Sequence, residues 1–204
     1  MQSNTSWLKN NIRRYHNILS IFVFAPLLLT VVTGVVYQIG RLWLGLSKEN
    51  LTILMKLHQM SILGKTSKAL YSPILGYFTF YMIFSGIYMV FKRPILSTFA
   101  LKGKWSTFRG FHRNMSNLIL FPFLITALSG TLYRMLKTWF GLEKESVGFL
   151  LNWHQGKFIS GLGIEYVYPV LLGIAAMASI GAGLTMNKTV VGMKKKATET
   201  SLPS

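Results

Sequence analysis

Residues 13–59 recur, without a gap, 96 positions later at 109–155. Arg13, His16, Ser20, Pro26, Thr30, Gly34 and Tyr37 return as Arg109, His112, Ser116, Pro122, Thr126, Gly130 and Tyr133. Trp43, Gly45, Leu46, Lys48 and Glu49 return as Trp139, Gly141, Leu142, Lys144 and Glu145, and His58-Gln59 as His154-Gln155. Pro73 returns as Pro169. A chain written this way has to fold as two like halves. It has four histidines, and the repeat pairs all of them.

Each half contains two apolar runs long enough for a bilayer's hydrocarbon core, which takes about 20 helical residues to cross. The mean hydropathy of the chain is +0.41. We read spans at about 17–39 and 70–91 in the first half (1–93), and at about 114–135 and 164–186 in the second (109–187). Pro26 and Pro122 lie inside spans, where a kink is tolerated. After the first span of each half comes a connector with an interfacial Trp. Mixed apolar and polar stretches at 50–64 and 146–160 follow, each read as a short amphipathic helix. A basic linker, 94–108, joins the halves, and 188–204 is a basic and polar tail expected to be disordered. The fourth span is rich in small residues, among them Gly173, Ala176 and Gly183, which let helices approach closely in lipid. The expected fold is thus an all-α integral membrane protein. Its four transmembrane helices form two parallel two-helix repeats, with a pseudo-two-fold axis along the membrane normal.

The net charge is +17. The basic residues flank apolar spans, a pattern of topology and headgroup contact, so nucleic acid is not the expected partner and membrane lipid is. Thirteen of the 22 basic residues fall on the side of the termini and nine on the other. This bias predicts both termini on the cytoplasmic side of a plasma, inner or thylakoid membrane. The absence of cysteine excludes disulfides, thiolate metal sites, iron–sulfur clusters and covalent haem attachment.

His16 and His112 open spans on the basic side, whereas His58 and His154 follow a crossing and lie on the other. The repeat axis relates the members of each pair, so each pair can bracket one object between the halves. At 100° per residue, His16, Ser20, Pro26, Thr30, Gly34 and Tyr37 share an arc of about 120°. These are nearly all the residues that the third span repeats exactly, which marks the inward face. Gly34 and Gly130 leave room there for a flat group or a close helix, and Thr30 and Thr126 offer hydroxyls. Paired imidazoles with neither thiolate nor inward carboxylate suit bis-His haem iron. Zinc would need more ligands, and the chain has no aspartate for a buried acid relay. Two haems b follow, one held by His16 and His112 and the other by His58 and His154. Arg13 and Arg109 are candidate partners for haem propionates, as are Arg14 and Arg113. No Ser-His-acid set, phosphate loop or dinucleotide fingerprint is present, so electrons must come from a quinol or another protein.

The segments YHNILSIFVFAPLLLTVVTG and FHRNMSNLILFPFLITALSG resemble the first helix of PepSY-associated transmembrane proteins, which opens with His and closes on Thr- or Ser-Gly. KLHQMSILGKTSKALYSPILGYFTFYMIFSGIYMVF resembles their second element. The resemblance runs over nearly the whole chain, without the extramembrane PepSY domains of larger members. It implies a di-haem inner-membrane protein with axial ligands at His16, His58, His112 and His154, and a reductase acting on ferric siderophores.

Two readings result. One is a bis-haem b electron carrier or ferric reductase, moving electrons across the bilayer to an acceptor such as a ferric chelate or partner cytochrome. The other is a non-enzymatic accessory subunit of a larger respiratory or photosynthetic complex, with histidines that bind chlorophyll or only pack.

Overall fold

A computed structural model of the chain describes residues 2–90, 104–159 and 164–200. The described residues are all-helical, with no strand among them. The principal helices are α1 (Gln2–Gln38), α2 (Thr52–His58), α3 (Lys65–Val90), α4 (Phe108–Thr138), α5 (Lys144–His154) and α6 (Tyr168–Thr200). Four stretches are long and apolar enough to cross a membrane: Asn10–Trp43, Lys65–Met89, Phe108–Thr138 and Tyr168–Met186. Their outward faces carry large apolar side chains in the open, Phe22, Tyr77, Phe84, Phe121 and Leu171 among them. Apolar exposure on that scale suits lipid rather than water.

The four long helices pack in a ring. α1 touches α3 and α6, and α4 touches α3 and α6, so α1 and α4 stand at opposite corners. The central core is Ile119, Leu172 and Ala176, with Val31, Met115 and Phe123 packed on it. Small residues set the close contacts. A Cβ on Gly173 would strike Val35 of α1, and one on Gly76 of α3 would strike Thr131 of α4.

Helix ends follow local chemistry. Thr107 caps α4, its hydroxyl accepting the Gly110 N–H at 3.1 Å. α1 widens into a π turn over Ile39–Trp43 and then stops at Gly45, whose φ is +63°. The Leu46 N–H reaches six positions back to the Gly40 carbonyl at 2.8 Å, one residue farther than in the usual left-handed glycine cap, as the widened π turn requires. In the second half Gly141, at φ +65°, allows Leu142 to donate to Leu136 at 3.2 Å. Two tryptophans then tie the halves together. Trp43 Nε1 donates to the Tyr166 carbonyl at 3.3 Å, and Trp139 Nε1 donates to that of Ala69 at 3.1 Å.

Several boundaries differ from those expected. α3 starts at Lys65 and runs through Pro73, whereas a separate 3₁₀ turn at Ile164–Tyr166 precedes α6, which starts at Tyr168. Pro169 therefore lies in a first helical turn, where a missing N–H costs nothing. The stretches at 50–64 and 146–160 hold helices of 7 and 11 residues, each followed by a 3₁₀ turn. The expectation of a disordered tail is corrected: α6 continues as helix to Thr200. From Asn187 to Thr200 there is no proline to end it, and four lysines and an alanine favour it. Most of the 94–108 linker, and 201–204, lie outside the described residues.

Candidate functional site

His58 and His154 are the last residues of α2 and α5. Each helix stops there because the chain turns left-handed two residues later, at Met60 (φ 52°) and Gly156 (φ 73°). The two short helices deliver their imidazoles to one place, with ring centres 6.1 Å apart and planes at 58°. His58 Nδ1 lies 2.8 Å from the Thr30 carbonyl oxygen, and His154 Nδ1 lies 2.9 Å from that of Thr126. A carbonyl only accepts, so Nδ1 carries the hydrogen in both rings and Nε2 holds the free lone pair. That is the tautomer of a metal-binding imidazole whose outer nitrogen is anchored.

Burial keeps these rings neutral. Loss of hydration, then the neighbouring His154, lowers the His58 pKa to about 4, and the Thr30 bond opposes this only in part. Burial likewise lowers that of His154, against the Thr126 bond. Both rings are thus unprotonated at neutral pH and able to donate a lone pair.

The remaining pair sits on the opposite corners α1 and α4. His16 Nδ1 is 2.7 Å from Ser85 Oγ, whose hydroxyl also donates to the Met82 carbonyl at 3.2 Å. His112 Nδ1 donates to the Ser179 carbonyl at 2.8 Å. The two histidines are close enough for their charges to interact. Three of the four rings thus have Nδ1 tied to a backbone carbonyl, and the fourth to a serine.

The glycines expected to flank a flat ligand face the histidines themselves. A Cβ on Gly130 would come within 2.5 Å of His154 Nδ1, and one on Gly34 within 3.2 Å of His58 Cε1. On the other side, Gly183 faces His112 at 3.1 Å. A cavity of about 250 Å³ opens beside His58 and His154, lined also by Thr30, Tyr37, Thr126, Tyr133 and Arg134. Thr30 bonds the Tyr71 hydroxyl at 2.6 Å, and Tyr71 donates to the carbonyl of Pro26 at 2.9 Å. In the second half the hydroxyls of Thr126 and Tyr168 are buried close together, but without the geometry of a hydrogen bond. Arg13 and Arg109 are exposed, whereas Nε of Arg113, beside His112, is buried and unpartnered. No group of three or more His, Cys, Asp or Glu side chains gathers among the described residues, so the donors come as pairs.

Comparison of the chain with protein-family profiles, characterised proteins and solved structures finds no match. The site stands on its own geometry.

Sequence reading missed Ser85, Ser179, Tyr71 and Arg134. None is matched by an identical residue 96 positions away, so the repeat gives them no emphasis. For Arg134 a signal did exist. The corresponding residue is the neutral Gln38, and a change from amide to cation on an inward face is itself informative.

Proposed function

We propose that this protein is a bis-haem b membrane electron carrier, with His58 and His154 as axial ligands of one iron and His16 and His112 of the other. The observation that carries the reading is the far-side pair. Two iron–imidazole bonds of about 2 Å and two half-rings of about 1 Å separate axial ring centres by roughly 6 Å. The His58–His154 spacing of 6.1 Å fits that requirement. The donor set fits as well: neutral imidazoles, Nδ1 anchored, no carboxylate gathered beside either pair among the described residues, and no cysteine in the chain. When bound, haem supplies reversible one-electron chemistry. The chain's own part is to hold both rings of each pair in register, keep them unprotonated and exclude water from the core.

Two like halves related by an axis along the membrane normal account for each histidine pair spanning both repeats. The charge bias orients the molecule with both termini, and the His16–His112 pair, on the cytoplasmic side. Electrons would then pass from a quinol or protein donor at one surface to an acceptor at the other, a ferric chelate or a partner cytochrome. The likeness to PepSY-associated transmembrane proteins points the same way, towards a reductase.

Reduced-minus-oxidised spectra of the purified protein test this. Low-spin b-type bands at two haems per chain are expected, with His58→Ala and His154→Ala abolishing the same component. Chlorophyll bands, or a colourless protein that stays colourless with added haemin, would instead favour an accessory subunit.

A further inference from the structure

Arg134 lines the same cavity as His58 and His154, one turn from the end of α4. It is half-buried, yet among the described residues it forms neither an ion pair nor a hydrogen bond. Arg134 and Lys137 each lie close enough to Lys68 to repel its charge. None of the three is paired with a carboxylate among the described residues, and Lys137 instead lies over the Tyr133 ring at 5.9 Å. A cation near a helix C-terminus gains from the helix dipole, but only weakly at an exposed position. Repulsion from Lys68 and partial desolvation of the guanidinium work against that gain. A bound anion reverses the balance, and guanidinium is shaped for a carboxylate's two oxygens. The corresponding position in the first half is Gln38, which also lines the cavity, so charge enters from one side only.

We propose that Arg134, supported by Lys68 and Lys137, is a carboxylate-binding site that anchors the acidic edge of the molecule held between His58 and His154. The inference rests on the haem reading, in which that edge is the pair of propionates. It gives the cavity a polarity: the acidic edge lies toward α4 and the start of α3, not toward Gln38.

The test uses the full-length protein in detergent with His16→Ala, so that only the His58–His154 site remains. Haemin and its dimethyl ester, which lacks the carboxylates, are titrated and followed by the low-spin Soret band. Haemin is expected to bind at least tenfold more tightly than the ester. Arg134→Gln should bring that ratio close to one, and Arg134→Lys should restore part of it. Equal affinity for acid and ester in the protein with Arg134 intact would overturn the proposal without any question of misfolding. So would a ratio unchanged by Arg134→Gln. If Arg134 instead holds a lipid phosphate, exchanging phosphatidylglycerol for phosphatidylcholine, and not esterification, will change haemin affinity, and the proposal fails. Absence of a low-spin spectrum with haemin overturns the haem reading first, and this inference with it.

Discussion

Gly130 and Gly34 occupy matching places in the two halves but unequal spaces. A methyl group on Gly130 would overlap the His154 ring at 2.5 Å, whereas one on Gly34 would meet only the edge of His58 at 3.2 Å. Gly130→Ala is therefore expected to displace His154 from Thr126 and cost on the order of 1–3 kcal/mol and, on the proposed haem reading, to remove the far-side haem band. Gly34→Ala should leave the band in place. The pKa of His58 makes a second prediction. Its folded value of about 4 lies below the ordinary 6.5, so the unfolded chain binds the extra proton between those values. Stability is complete above pH 6.5, falls by about 1.4 kcal/mol per unit for one such group as pH drops, and levels off below 4. Thermal melting of the haem-free protein from pH 7.5 to 4 checks this, and a flat profile would refute it. The histidines themselves were legible in the sequence, because the repeat pairs them. What the glycines touch was not, because the same empty space on an inward face admits either a cofactor or a ring from another element.

At the level of elements, the two halves use the same parts with different success. Tyr71 joins α3 to α1 through Thr30 and the Pro26 carbonyl, while Tyr168 of α6 buries its hydroxyl without a bond. Tyr71→Phe should cost about 1 kcal/mol, and Tyr168→Phe should be neutral or stabilising, since it removes an unsatisfied group. Melting temperatures of the two variants decide this. The turn after α2 is a similar case. Met60 is left-handed at φ 52° where the second half has Gly156, so Met60→Gly is expected to stabilise by about 1 kcal/mol. The reverse change is barred, because any Cβ at Gly156 would strike the Tyr168 ring. Spans could be read in advance from apolar length, whereas Gly45 and Gly141 were marked only as repeated residues and their capping role came from the structure. Helix starts could not: Pro73 and Pro169 match in sequence, yet one is interior to α3 and the other opens α6.

At the scale of the molecule, the ring of four helices puts α1 and α4 at opposite corners, which lets each histidine pair draw one ring from each half. The charge bias adds an orientation. Because the chain has no cysteine, Ser106→Cys and Ser146→Cys each create a single thiol at an exposed position. An impermeant maleimide on intact cells should label Ser146→Cys and spare Ser106→Cys; the opposite pattern would invert the topology. By itself the sequence determined the class of the fold, the number of spans and the identity of the paired histidines, because apolar length and a gapless repeat are properties of the chain alone. Only the tertiary structure decided that His58 and His154 stand 6.1 Å apart, which backbone carbonyls select their tautomers, and that Arg134 shares their cavity. Those depend on where separate helices end and how closely they approach, and such distances are set by packing between elements rather than by any one stretch of residues.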